Sequence, residues 1–109
     1  MIVRARKRKL QKILADSKLI NLEFGKQIGD KVKQRIAELL AAETLEDISH
    51  LPPTKLHSLS GEYEGCFAVK LTGNFRLVFK AYTCEEEFTT QKSNTEIIVI
   101  EEVVDYHGK

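Results

Sequence analysis

Three residues near the end of the sequence, Asp105, Tyr106 and His107, directly follow a strand-like apolar run and could handle protons. An imidazole beside a carboxylate can titrate near neutral pH. If the strand continues, Asp105 and His107 share one face and Tyr106 points the other way, because side chains alternate along a strand. The alternative is a frayed terminus whose polar residues are simply solvated.

The sequence lacks the motifs of several enzyme classes, and this limits the reactions that the protein could catalyse. It has no Gly-rich phosphate loop, nucleophile elbow or dinucleotide fingerprint, and no cofactor is expected. His50, His57 and His107 do not have metal-ligand spacing, so no metal is expected. The remaining side-chain types suit phosphodiester cleavage. In that reaction a base takes the ribose 2′-hydroxyl proton, an Arg or Lys stabilises the phosphorane, and an acid protonates the leaving oxygen.

Size and composition bound the class of protein. A chain of 109 residues with 42% hydrophobic content predicts one compact domain over residues 1–109. Cys66 and Cys84 are too few for a disulfide framework and are expected to be half-buried packing residues. No apolar run approaches the ~20 residues that span a bilayer. The basic N-terminal segment lacks a secretory apolar region. These features predict a cytoplasmic protein.

Charge is unevenly distributed along the chain. Residues 1–35 contain 11 Lys and Arg against 3 Asp and Glu, a net charge of +8, and residues 36–109 contain 6 against 13, a net charge of −7. A basic face is predicted from Arg4, Arg6, Lys7, Arg8, Lys9, Lys12, Lys31, Lys33 and Arg35. Such a face attracts RNA phosphates or an acidic partner, whereas the alternative is an ordinary solvated helix face.

The first half of the chain is typical of helices. Residues 2–4 are predicted to form a short edge strand, and a helix follows with apolar positions between 10 and 14. Apolar residues three or four positions apart then predict a helix that buries one stripe. The stripe consists of Phe24, Ile28, Val32, Ile36, Leu39 and Leu40. Thr44 and Asp47 resemble a capping box that opens a short helical turn, and Pro52-Pro53 closes the helical half.

The second half is typical of strands. Residues 63–71 and 75–82 are β-rich runs separated by Thr72-Gly73-Asn74, where Gly and Asn accept the positive φ of a tight hairpin. Only a three-residue loop keeps the apolar side chains on one face. This register pairs Leu71 with Phe75, Val69 with Leu77 and Phe67 with Phe79. The opposite face then carries Lys70, Arg76 and Lys80.

The last strand is predicted to lie inside the sheet, since residues 97–100 are apolar on both faces. An acidic loop at 84–94 precedes it. If this strand runs antiparallel beside residues 75–82, its end lies near Arg76. The predicted architecture is α+β, with N-terminal helices packed on a small, antiparallel-rich, twisted sheet.

Several short motifs follow one another in a defined order. They are Leu51-Pro52, Lys55-Leu56-His57, Leu59-Ser60-Gly61, Gly65, Gly73-Asn74-Phe75-Arg76-Leu77-Val78-Phe79 and Asp105-Tyr106-His107. This order resembles the HigB-type host-killer toxins of the RelE superfamily over about residues 51–107. The helical half of the chain resembles that family in its general pattern only. The resemblance implies a RelE-like fold and a type II toxin-antitoxin system of the plasmid maintenance killer kind. The implied activity is that of a ribosome-dependent mRNA endoribonuclease (mRNA interferase). The implied partners are mRNA on the ribosome and a cognate helix-turn-helix antitoxin, with DNA contacted only indirectly through the antitoxin.

The resemblance also implies residue roles. The catalytic set is His57, Arg76, Asp105, Tyr106 and His107. Arg76 would lie at the scissile phosphate, Asp105 would orient a histidine, Tyr106 would contact the substrate, and either histidine serves as base or acid. The RNA-binding set is Lys55, Lys70, Arg4, Arg6, Lys7, Arg8 and Lys9.

Three positions depart from the family pattern. Ser60 and Thr72 stand where relatives carry basic residues, and Phe75 replaces a common tryptophan. A competing interpretation is a catalytically inactive, toxin-like interaction module that binds an antitoxin or a regulatory partner. In that interpretation the basic N-terminal helix binds an acidic segment of the antitoxin.

Overall fold

Helices cover one face of a sheet that is built mainly from the second half of the chain. The computed structural model describes residues 1–105. Its helices are α1 (Arg8–Leu14), α2 (Ser17–Phe24) and α3 (Lys26–Ala41). Its strands are β1 (Ile2–Ala5), β2 (His57–Ser58), β3 (Phe67–Lys70), β4 (Phe75–Tyr82), β5 (Phe88–Thr89) and β6 (Ile97–Asp105). The predicted α+β class is confirmed. Among residues 1–105, no helix is long and apolar enough to cross a membrane.

The strands form a mixed sheet in the order β1-β6-β4-β3-β2, and β5 pairs with one end of β4. β1 runs parallel to β6, whereas the other pairs are antiparallel. The sheet is therefore antiparallel-rich, as predicted. β6 lies between β1 and β4, which confirms its internal position and the edge position of β1. The acidic loop joins two antiparallel strands, as predicted, and contains β5.

The apolar stripe of the main helix is interrupted at Gly25, which the sequence prediction did not anticipate. Phe24 is the last residue of α2, and α3 begins at Lys26. Gly25 has a φ of +81°, a conformation that glycine adopts without steric cost. The two helices pack closely, since a Cβ built at Gly29 would lie 2.4 Å from Oδ1 of Asn21.

The predicted capping box at Thr44 and Asp47 forms, but the two side chains accept from other backbone N–H groups than expected. A short 3-10 helix runs over Leu45–Asp47, and the side chain of Thr44 accepts a hydrogen bond from the Glu46 N–H. The Asp47 carboxylate accepts from the N–H of Glu43, at 3.0 Å, one residue before the expected Thr44. Both side chains still satisfy backbone donors at the start of the turn, which is what a capping box achieves.

The hairpin register is confirmed. β3 and β4 pair Phe67 with Phe79, Val69 with Leu77 and Lys70 with Arg76, and the N–H of Leu71 donates to Phe75 O at 3.0 Å. The rings of Phe67 and Phe79 stack with centroids 6.0 Å apart. Burying a large apolar side chain such as Phe79 contributes about 2 kcal/mol. These residues form the core beneath the helices.

The surface of the sheet opposite the helices, here called the outer face, carries a smaller apolar cluster of Cys66, Ala68 and Val78. Three half-buried cations lie on the same face, one beyond Ala68 along β3 and one on each side of Val78 along β4. They are Lys70, Arg76 and Lys80, as predicted. The outer face therefore combines an apolar floor with positive charge.

A β-bulge interrupts the pairing of β4 with β6. Val78 pairs with Glu102 and Phe79 pairs with Ile100, so Glu101 is the additional residue. An extra residue in one strand bends that strand and changes the direction of neighbouring side chains. The bulge thereby keeps both Glu101 and Glu102 off the helix-side core, to which Ile100 and Val103 on either side of them contribute.

Candidate functional site

The end of β6 lies beside the tip of the β3–β4 hairpin, as expected. Asp105 pairs with Phe75, and Val104 pairs with Arg76. Phe75 packs against the helix-side core and Val104 against the outer-face cluster. Asp105 therefore occupies a helix-side position and Arg76 an outer-face position, on neighbouring strands. Tyr106 and His107 lie outside the described residues, and their catalytic roles stay predictions.

Backbone carbonyls position the Arg76 guanidinium at the hairpin tip. Nη1 donates to the carbonyl oxygens of Gly73 at 3.1 Å and Phe75 at 3.0 Å. The turn that sets the strand register therefore also orients the cation. A guanidinium held in this way is a fixed positive group at the end of the outer face.

His57 lies on the same face in β2, the edge strand that pairs with β3. It pairs with Ala68, which belongs to the outer-face cluster. Its Nδ1 lies 2.8 Å from the carbonyl oxygen of Lys55. Because a carbonyl oxygen can only accept, Nδ1 carries the proton of this hydrogen bond, and the neutral ring has its lone pair on Nε2. The arrangement suits a base that takes up a proton at Nε2.

The strand register brings His57, Lys70 and Arg76 together. Lys70 is directly opposite Arg76, and His57 lies two strands and two residues from Arg76. With strands about 4.8 Å apart and residues about 3.3 Å apart, the Cα atoms of His57 and Arg76 are separated by about 12 Å. A phosphate bound on the outer face between β2 and β4 would be within reach of the long side chains of Lys70 and Arg76.

The backbone of Lys70 is fixed from two sides. Its N–H donates to Thr54 O at 2.8 Å, and its carbonyl accepts from Nε of Arg35 at 2.7 Å. Lys55 is exposed in the preceding turn, with a φ of +51°. Its carbonyl contacts His57, so this residue contributes to the site through its backbone. Phosphate binding by the Lys55 and Lys70 side chains stays a prediction.

Arg35 was predicted to belong to the basic face, and this prediction was wrong. Its side chain is 1% exposed. Besides Lys70 O, it donates to Pro53 O at 3.3 Å and pairs with Glu38 at 3.1 Å. Position 35 lies on the buried side of α3, next to the apolar stripe, so the guanidinium joins the helix to the sheet and is not available to a partner.

The five basic residues between positions 4 and 9 divide into two groups. Arg4 pairs with Glu86 at 3.1 Å and Arg6 with Glu101 at 2.7 Å. Lys7, Arg8 and Lys9 are exposed where α1 begins, and within residues 1–105 their side chains form no ion pair. Because β1 is parallel to β6, this basic segment follows the end of β1 that points towards Asp105.

Neither cysteine has the properties of a nucleophile. Cys66 is buried, and burial raises the pKa of its thiol, with the nearby Glu101 and Glu102 adding to the increase. Cys84 is exposed, so the prediction of half-burial was wrong for it. The Glu96 carboxylate raises its pKa through charge and a hydrogen bond. Thiols whose pKa is raised contain little of the reactive thiolate at neutral pH.

Sequence reasoning missed the acidic centre of the outer face. Tyr63 donates to Oε1 of Glu102 at 2.8 Å and thereby connects the β2–β3 loop to β6. Glu101, at the bulge, accepts from Arg6. Two consecutive carboxylates in an apolar run were the available signal, because strict alternation would send one of them into the core. Within residues 1–105, no group of three His, Cys, Asp or Glu side chains could hold a metal ion.

In comparisons with known proteins, no protein-family model matches the chain and no curated protein matches it significantly.

Proposed function

We propose that the chain is a HigB-type toxin of the RelE superfamily and acts as a metal-independent endoribonuclease on ribosome-bound mRNA in the cytoplasm. One observation carries the proposal most directly: His57, Lys70 and Arg76 converge on one end of the outer face. A proton acceptor and two cations are the groups that cleavage by the ribose 2′-hydroxyl requires. The order of the family-like motifs supports the same conclusion.

In the proposed reaction His57 is the base. Its Nε2 takes the proton of the 2′-hydroxyl, and the 2′-oxygen attacks the phosphorus atom. The bond from phosphorus to the 5′-oxygen breaks, leaving a 2′,3′-cyclic phosphate and a 5′-hydroxyl. The hydrogen bond from Nδ1 to Lys55 O supports this role, because it orients the ring and leaves Nε2 as the acceptor.

The remaining roles are those that the family resemblance implies, and the positive charges of Lys70 and Arg76 support two of them. Arg76 and Lys70 stabilise the negative charge that develops on the phosphorane. His107 is the acid that protonates the 5′-oxygen, Asp105 orients it, and Tyr106 contacts a nucleotide. Lys7, Arg8 and Lys9 contact ribosomal RNA, and their exposure supports this assignment.

A second candidate function is an inactive interaction module that binds an antitoxin or regulatory partner. It is favoured by the ion pairs of Arg4 with Glu86 and of Arg6 with Glu101. These carboxylates neutralise two of the cations predicted to bind RNA. In this alternative, changes at His57 and Arg76 leave all biological effects intact.

The test is tightly induced expression in a bacterial host, with growth and mRNA cleavage sites recorded in the same cultures. His57→Ala is expected to abolish growth arrest and to slow cleavage by about 10²–10⁴-fold, the usual contribution of a general base. His50→Ala is the matched control, because His50 is exposed and lies outside the site. Circular dichroism of both purified variants checks that they fold.

Two outcomes would contradict the proposal. One is folded, abundant wild-type protein that neither arrests growth nor cleaves mRNA, which would favour the interaction module. The other is a His57→Ala variant that cleaves at the wild-type rate, which would remove His57 from the reaction.

A further inference from the structure

The outer edge of β1 presents backbone hydrogen-bonding groups that the sheet does not use. The N–H of Ile2 donates to the carbonyl oxygen of Glu96, the residue before β6, and the N–H of Arg6 donates to Ile100 O in β6, both at 3.0 Å. In a parallel pair, alternate residues direct their backbone groups towards the neighbouring strand. The intervening residues, Val3 and Ala5, therefore direct their N–H and C=O groups away from the sheet.

A side chain occupies one of these outward positions. The N–H of Ala5 donates to Oε1 of Gln11 at 2.8 Å. The amide carbonyl of Gln11 thus stands where the backbone carbonyl of an additional strand would stand. Gln11 is exposed on α1, so its side chain can rotate into water and exchange this hydrogen bond for one with a peptide.

Apolar side chains border the same edge. A groove of about 140 Å³ between β1 and the helices is lined by Val3, Leu14, Ile36 and Leu40. A second groove, at the start of β1 and away from the basic residues, is lined by Ile2 and Leu40 together with the acidic residues Glu43 and Glu96. Ile2 and Leu40 are 51% and 55% exposed, which is high for large apolar side chains. An added strand would place alternate side chains over these grooves.

The positive charge beside β1 determines which kind of added strand could bind at its edge. Arg6, Lys7, Arg8 and Lys9 follow β1 directly, and the last three form no ion pair within the described part of the chain. A second copy of β1 would bring Arg4 and Arg6 close to their own counterparts, and like charges on paired strands are destabilising. Positive charge on an edge strand thus discourages self-association and favours an acidic partner.

We propose that the outer edge of β1 binds an extended segment of a partner protein in which apolar and acidic residues alternate. The segment adds to the sheet as a further strand and displaces the Gln11 side chain from Ala5. Main-chain hydrogen bonds would supply affinity, and the grooves and basic residues would supply specificity. The inference goes beyond the proposed ribonuclease function, since binding here requires neither RNA nor the outer-face residues.

The probe is a fluorescein-labelled ten-residue peptide, blocked at both ends, that alternates Val or Ile with Glu or Asp. The control peptide has the same composition with its apolar and acidic residues in separate blocks. Fluorescence anisotropy is expected to show saturable binding of the alternating peptide, weakened by salt, and at least tenfold weaker binding of the control. Amide hydrogen exchange at Val3 and Ala5 should slow when the alternating peptide binds.

Three variants test the geometry. Val3→Pro removes the outward N–H and should weaken peptide binding about tenfold, whereas Val3→Ala keeps this N–H and should weaken binding less. Proline is tolerated where an edge-strand N–H faces solvent. Gln11→Ala removes the competing carbonyl and should strengthen binding about threefold to fivefold.

Equal binding of the two peptides would overturn the inference, and so would unchanged exchange at Val3 and Ala5 in the wild-type protein. Dimerisation through β1, detected by sedimentation of the protein alone, would also overturn it by assigning the edge to a second copy. The exchange measurement needs no variant, so the inference can be refuted even if Val3→Pro does not fold. Loss of mRNA cleavage has no bearing on any of these results.

Discussion

Replacing Arg35 by alanine tests how the candidate site is supported. The guanidinium is almost completely buried and connects α3 with the carbonyls of Lys70 and Pro53, while pairing with the partly exposed Glu38. The variant loses these hydrogen bonds and leaves the carbonyl oxygens of Lys70 and Pro53 without their charged donor.

The magnitude can be estimated from these contacts. A hydrogen bond to a charged group contributes about 1.5–3 kcal/mol, and Arg35 donates two such bonds to backbone carbonyls. The Glu38 pair adds less, because its carboxylate is partly solvated. We expect the free energy of unfolding to fall by about 3–5 kcal/mol in Arg35→Ala. Arg35→Lys keeps the charge but not the forked geometry, and we expect it to lose about 2–3 kcal/mol.

Urea denaturation monitored by circular dichroism measures both values. Lys33→Ala serves as the control on the same helix, because the Lys33 side chain makes mainly surface contacts with Ser17 and Asp30, and such exposed pairs contribute about 0–1 kcal/mol. If Arg35→Ala lowers the free energy of unfolding by less than about 1 kcal/mol, the guanidinium does not hold the helix to the sheet. The proposed support of Lys70 would then be refuted.

Two further predictions concern packing and pH. Gly29→Ala should lower the free energy of unfolding by about 1–3 kcal/mol in urea titrations, because the new Cβ would clash with Asn21; wild-type stability would show that α2 and α3 can separate without cost. Burial raises the pKa of the Cys66 thiol above its ordinary value of 9.0, so its stabilising contribution is complete below that pH and is lost as the pH rises further. In a Cys84→Ala background, the free energy of unfolding should therefore fall above pH 9 more steeply with Cys66 than with Cys66→Ala, and equal slopes would contradict this.

Local patterns were sufficient for much of the fold. Alternating apolar residues around Thr72-Gly73-Asn74 determined the hairpin register, because a shift of one residue would send Leu77 and Phe79 into solvent. The doubly apolar run at 97–100 similarly identified an internal strand. Both predictions rest on burial, which a sequence reports directly through the spacing of its apolar side chains.

Predictions from local sequence patterns were wrong where the same type of residue can occur in two different structural environments. Arg35 looked like one more cation in a basic segment, yet backbone carbonyls from distant parts of the chain compensate for its burial. Gly25 interrupts a regular helical stripe because the chain must turn there to pack α2 against α3. Neither outcome depends on the immediate neighbours in sequence.

The sequence by itself determined the α+β class, the hairpin register and the chemical types available to a site, because side-chain type and periodicity are local properties. Tertiary structure alone decided that His57 shares a face with Lys70 and Arg76 and that Lys55 O orients the imidazole. It also decided that a bulge keeps both Glu101 and Glu102 off the helix-side core. The physical reason is strand pairing: it joins residues far apart in the chain through backbone hydrogen bonds, whose partners are set by the packing of the whole sheet.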